Sequence, residues 1–505
     1  MGKWRTQARN CKRFTISLLM IVFIIWVAQN WSEINGYIRY DKYPIYIDWF
    51  RFTFLFVVVG GGAYLFDRLV IPLGIGVLLP SNLFFALFIF LVLPGVVLTS
   101  DYGVIGTASF YGYLAAFVFY VAGSAASSVF LKFSPVREIN LYQVGIITTY
   151  RVTGVTYLLM LGMFSSALIV AYASTDMGLG ILQLAFEFMA SGDMPAGARQ
   201  VADERIGVYS ALEYRSIFSV MSAYATGLVM PLAVGFILLN GVVRRNALET
   251  MLGVMLVVVT LFILISSGSR LRGLFYLLFV FTMLSHVKKV RLSNIAVWGA
   301  FIFGLLIVQT IVLGRMVGGG GYLQNLVMSI NRVIERVFLV KGYVTQQVFH
   351  YIPWVSDYKA GGTYAETLLG LNTNEITFAE EMSHYIYGPA GTAGPQAFAE
   401  GYANYGMLGM LIIAMVMGVL IQSITVALVR QKSRDILSLV FQAFVIVLIA
   451  RTGYGSLFTF KANGMHVLLI LWGVVVVLRK VFSICIDSKP GVSRNIKDAG
   501  GHNAT

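Results

Sequence analysis

Residues 407–429 read MLGMLIIAMVMGVLIQSITVALV, an unbroken run without a charged side chain. As a helix rising about 1.5 Å per residue, such a run reaches about 34 Å, enough to cross the roughly 30 Å of hydrocarbon in a bilayer. Backbone amides in lipid must find partners within their own segment, which favours helix. The period-2 alternation of a barrel strand is not seen.

Outward from this run the pattern repeats. Of 505 residues 58% are hydrophobic and 12% charged, with mean hydropathy +0.79. A soluble domain carries about twice that charged share. The chain is therefore expected to be an all-α polytopic membrane protein. About twelve transmembrane helices can be drawn, near 14–29, 50–66, 82–99, 109–131, 152–173, 215–240, 248–266, 272–286, 294–313, 405–429, 436–451 and 464–482.

Lysine and arginine orient these spans. The first residues, MGKWRTQARNCKRF, are strongly basic, and alternate loops repeat the signal in RRN (244–246), VKKVR (287–291) and VRQKSRD (429–435). Both termini are expected in the cytoplasm, and the net charge of +14 then reflects topology, with no need of a nucleic-acid partner. The first span lacks a small-residue cleavage site and reads as a retained anchor. Cys11 and Cys485, the chain's two cysteines, both fall on the cytoplasmic side and argue against a disulfide framework or structural metal.

This topology places two loops outside, 174–214 and the larger 314–403, around a single domain covering 1–505. The larger loop is too long for a simple connection. Its segments 322–352 and 366–388 mix apolar and charged residues at helical spacing and read as amphipathic helices on the outer surface. Arginines gather on that side: Arg270 and Arg272 in ISSGSRLRG, Arg315 in VLGRMVGGGG, Arg332 and Arg336 on one helical face, and Arg451 in LIARTGYGS. Positive charge is normally held back from the translocated side. Each arginine alone is explained by a nearby acid or headgroup. Arg270 and Arg451 differ in lying at helix ends beside glycine and serine, where a ligand can approach, and guanidinium forks suit a pyrophosphate.

Other motifs are weaker. GGGG at 318–321 lacks the Lys-Ser/Thr of a phosphate loop and reads as a hinge. His350 and His384 lack metal-ligand spacing, and no strand-to-helix serine elbow is present.

Three stretches together resemble a known family. SSGSRLRGLFYLLF (266–279), GPQAFAEGYANYGMLGMLI (394–412) and ARTGYGS (450–456) are similar, in that order, to features of Wzy-type O-antigen and polysaccharide repeat-unit polymerases. The resemblance implies an integral membrane glycosyltransferase of the GT-C type in the bacterial inner membrane, with its active site on the periplasmic face. It would transfer a glycan from undecaprenyl pyrophosphate to the terminal sugar of another lipid-linked unit. The expected partners are that donor, that acceptor, the lipid bilayer and a possible chain-length regulator; no metal or other cofactor is expected.

Diphosphate departure without a metal needs preorganised cations, and the acceptor hydroxyl needs a base. The expected catalytic set is Arg270, Arg451, Glu400 and His384, with Glu380, Glu381 and His350 as further candidates for the base. Arg272, Arg315, Arg332, Arg336, His350, Tyr402 and Tyr405 are expected to bind substrate, the two tyrosines as sugar platforms or as an interfacial aromatic belt. An O-antigen ligase shares the donor and is the nearest alternative. A lipid-linked oligosaccharide flippase is another, although transporters usually place charge near the bilayer midplane and pair their halves.

Overall fold

A computed structural model of the chain describes residues 49–70, 79–135, 138, 146–148, 154–173, 224–266, 270–287, 304, 330, 333, 339–364, 378–387, 394–431 and 433–455. Among these the protein is helical apart from two three-residue strands. In chain order the helices are α1 (Trp49–Leu65), α2 (Pro80–Leu87), α3 (Leu93–Thr99), α4 (Val104–Phe130), α5 (Gly154–Ala173), α6 (Met230–Arg244), α7 (Ala247–Ser266), α8 (Arg270–Ser285), α9 (Val340–Tyr351), α10 (Phe378–Tyr387), α11 (Ala397–Val429) and α12 (Ile436–Thr452). Widened π-helical turns at Phe66–Val70, Phe88–Val92 and Ala225–Val229 follow α1, join α2 to α3 and lead into α6.

Helix thus occupies nine of the expected spans. Those near 14–29, 294–313 and 464–482 lie outside the described residues, residue 304 aside, as does the loop 174–214. Among the described residues four helical stretches are long and apolar enough to cross a membrane: Val104–Phe130, Ala225–Arg244, Ala247–Leu264 and Ala397–Val429. Their outward faces fit lipid. Leu248, Met251 and Val258 on α7, and Leu408, Ile412 and Leu420 on α11, are all exposed. Within the large loop, helix covers α9 and α10, parts of the two segments expected to be amphipathic.

The most extensive helix pair is α4 with α11. Lipid tails give apolar side chains little reason to prefer one another, so close backbone approach and polar glue carry the pairing. A Cβ at Gly418 would lie 2.3 Å from the Tyr120 carbonyl oxygen, and one at Gly123 would lie 2.3 Å from that of Met415. Buried hydroxyls and an amide run down the seam. Ser81 Oγ donates to Gln422 Oε1 at 2.7 Å, Gln422 Nε2 donates to Ser128 Oγ at 2.9 Å, and Ser127 and Ser423 share a bond of 3.0 Å.

One end of the bundle is clasped by a charged group. Arg430 beyond α11 donates to Glu138 at 2.8 and 3.2 Å and to the Leu131 carbonyl at 2.8 Å. Beside it β1 (Ile146–Thr148) pairs in parallel with β2 (Ser433–Asp435), and Asp435 caps α12 by accepting from the Ser438 amide at 2.5 Å. At the opposite end α11 does something a straight span would not. Tyr405 (φ −141°, ψ 23°) and Gly406 (φ 66°, ψ −157°) break the helix. Positive φ is inexpensive only for glycine. The piece 397–404 folds back so tightly that a Cβ at Gly409 would lie 2.5 Å from the Gly401 carbonyl oxygen. In a continuous helix those residues would be about 12 Å apart along the axis. The expected span begins at 405 and the expected loop ends at 403; residues 397–404 are instead a separate helical piece of about two turns laid against the bundle.

Candidate functional site

The fold-back is held by the end of α12. Gln396 caps it by accepting from the Phe398 amide at 2.7 Å, and its side chain donates to the Gly453 carbonyl at 3.4 Å. The Ala397 amide donates to the Gly455 carbonyl at 2.9 Å, and the Tyr113 hydroxyl of α4 donates to Gln396 at 3.2 Å. Two of the stretches that carry the resemblance, 394–406 and 450–455, are therefore one packed unit.

That unit joins Glu400 and Arg451. Glu400 lies in the first turn of the fold-back and is 4% exposed. Arg451 lies in the last turn of α12, half-buried, with its guanidinium 5.3 Å from the centre of the Phe275 ring. Each charge suits its helix end, an anion at the N-terminus and a cation at the C-terminus. Phe275 belongs to α8, five residues after Arg270 where that helix begins, so the backbone of Arg270 is at the Arg451 end of the bundle. The side chains of Arg270 and Arg272 are outside the described residues, as are Arg315, Arg332 and Arg336 entirely.

A residue that the sequence did not single out completes the group. Lys341, in the first turn of α9, donates from Nζ to the Gly394 carbonyl at 2.5 Å and lies 5.2 Å over the ring of Tyr454. Burial pulls its ammonium down to about 8 from the ordinary lysine value, with Glu400 opposing that pull and Arg451 adding to it. The seating of α9 explains the position. A Cβ at Gly342 would lie 1.9 Å from the Gly95 carbonyl carbon, so α9 meets α3 backbone to backbone and its first turn is planted in the bundle. One carboxylate facing two cations leaves a net positive charge, which is the electrostatics of a site that accepts an anion.

Other described residues of the large loop form a second polar group around the other end of α9. His350 Nε2 lies 3.5 Å from Asp101 Oδ2, while Gln346 approaches the same ring nitrogen at 3.4 Å. Glu381 accepts from Tyr351 at 2.7 Å and from Lys359 at 2.8 Å. Burial and that bond to Glu381 push the Tyr351 phenol up to about 12. His384 stands exposed on α10, and the side chain of Glu380 is outside the described residues.

The turn 359–363 is stapled to the fold-back. The Lys359 amide donates to Ala403 O at 2.9 Å, the Gly361 amide donates to Asn404 Oδ1 at 2.9 Å, and Asn404 Nδ2 donates to Thr363 Oγ1 at 2.6 Å. Tyr402 stacks on Phe349 with centroids 3.9 Å apart and meets Tyr358 edge-on at 6.2 Å; burial, then Tyr358, raises its phenol. Tyr405 is exposed, together with Trp354 and Tyr358. The structure therefore sets Arg451 and Glu400 around Lys341, places His350 nine residues further along α9 with Tyr402 stacked on the neighbouring Phe349, and leaves Tyr405 and His384 at the surface.

No family model, curated protein or solved structure matches the chain.

Proposed function

We propose that the chain is an integral membrane glycosyltransferase of the bacterial inner membrane that polymerises lipid-linked oligosaccharide repeat units at the periplasmic face. The observation that carries this reading is the gathering of Arg451 and Glu400 around Lys341 at the end of the bundle where α8 begins at Arg270. Cations at a helix end near the membrane edge suit a substrate whose diphosphate sits at the surface and whose prenyl chain stays in lipid. Guanidinium pairs grip such a group through parallel hydrogen bonds.

In the reaction the acceptor hydroxyl attacks the anomeric carbon of the donor glycan. A new C–O bond forms as the anomeric carbon–oxygen bond to the diphosphate breaks. Undecaprenyl pyrophosphate leaves with the electron pair, and the hydroxyl proton passes to a base. Growing charge on the leaving group is stabilised by Arg451 and Arg270, each supplying about 3–4 kcal/mol if comparable to an oxyanion donor.

A base must lie within about 3 Å of the attacking hydroxyl, and therefore close to the diphosphate. Nine residues of helix separate His350 from Lys341, about 13 Å. Glu381 already accepts two bonds. Glu400 is therefore the assigned base, and the exposed Trp354 and Tyr358, with Tyr402 stacked on Phe349, offer platforms on which acceptor sugars would rest.

A deletion strain tests the assignment. Glycans limited to a single repeat on the lipid core support polymerisation. A core bearing no glycan would identify a ligase instead, and lipid-linked units retained in the cytoplasmic leaflet would identify a flippase.

A further inference from the structure

We propose that Lys341 is a second cation of the diphosphate grip and touches the leaving group directly beside Arg451. This rests on the reading of the site given above and adds to it a ligand-binding residue from the large loop.

Three observations converge on it. First, the backbone contact between Gly342 and Gly95 fixes the residue next to Lys341 against α3, so its position does not depend on a surface loop. Second, the ammonium has three hydrogens, and its bond to the Gly394 carbonyl uses one, leaving two for an anion. Third, the charges of the described residues around it do not cancel. Glu400 from α11 and the negative face of the Tyr454 ring attract the ammonium, while Arg451 from the end of α12 is a second cation beside it. Tyr113 of α4 stands near Glu400, and α3 carries no titratable side chain. Glu381, His350 and Asp101 group at the far end of α9.

Neutralising Glu400 takes one cation. Among the described residues two act there, and the surplus charge is what a diphosphate would take up. Its contribution is also switchable, because the free ammonium titrates near pH 8 while the guanidinium of Arg451 does not.

The test uses purified full-length protein in detergent and geranylgeranyl pyrophosphate as the probe. Wild-type affinity is expected to weaken by about tenfold per pH unit above about 8, as the lone free-state ammonium is lost. Lys341→Arg should bind with no such fall. Lys341→Met should bind at least tenfold more weakly at pH 7, again without pH dependence. Acetylation of Lys341 in the wild-type protein, read by mass spectrometry, should be blocked by the probe; this readout needs no variant to fold.

Unchanged binding by Lys341→Met, with Arg451→Ala defective, would overturn the role of Lys341 and leave the diphosphate reading standing. Labelling of Lys341 unaffected by saturating probe would do the same. A monodisperse wild-type protein that does not bind the probe would overturn both. Equal affinity for inorganic pyrophosphate would assign the grip to a free anion and overturn the lipid-linked donor.

Discussion

Gly342→Ala probes how the outer helix is seated. The added carbon would lie 1.9 Å from the Gly95 carbonyl carbon and 2.3 Å from the Val96 nitrogen, both backbone atoms. A side-chain tip can swing aside; a backbone cannot, so α9 itself has to move. Reaching even a tight 3.4 Å contact demands about 1.5 Å of separation along that line. Overpacking of this kind costs about 1–3 kcal/mol of stability. The same movement draws Lys341 away from Gly394 and Glu400, and a misplacement near 1 Å can cost about a hundredfold in rate. The assay is transfer from a lipid-linked repeat unit by enzyme in nanodiscs, with thermal unfolding measured on the same samples. We expect a folded protein that melts earlier and reacts on the order of a hundredfold more slowly. Gly60→Ala, whose new carbon meets nothing within 4 Å, is the control and should match wild type. Full rate and unchanged melting for Gly342→Ala would refute the close seating of α9 on α3.

Arg270→Ala and Arg451→Ala should each abolish long polysaccharide on a glycan gel while the protein still inserts, and Arg451→Lys should recover little, because a point charge lacks the fork. Gln422→Leu leaves the Ser81 and Ser128 hydroxyls without their shared partner and should lower stability by about 1–2 kcal/mol, read by unfolding in detergent, with the reaction rate preserved. Chelators should leave the rate unchanged; strict dependence on Mg²⁺ would require a different source of leaving-group stabilisation.

Hydropathy marked helix correctly in the nine expected stretches that are described, because twenty apolar residues in a row leave few alternatives to it. It was blind to what happens inside them. The stretch 82–99 reads as one span, yet it is two helices joined by a π-turn at 88–92, just ahead of Pro94, whose missing amide already weakens the ladder there. In 394–406 the glycines suggested turns, whereas only Gly406 takes a left-handed conformation and Gly401 lies within helix. Arg451 and Glu400 were visible as charges at the edges of apolar runs. Lys341 was not, since nothing local distinguishes it from the other cations of the large loop. Its burial is decided by Gly342 meeting Gly95 from a segment some 250 residues earlier, a distance in sequence that no periodicity reports.

The break at Gly406 uncouples the chemistry from the thickness of the surrounding lipid. After it α11 runs on as the long span; before it, the piece that carries Glu400 is bonded to the end of α12 through Gln396 and Ala397. Tilting of the span in a thinner bilayer would therefore be absorbed at the left-handed glycine, and the carboxylate would keep its station at the end of α12. Turnover would then stay level across acyl-chain lengths.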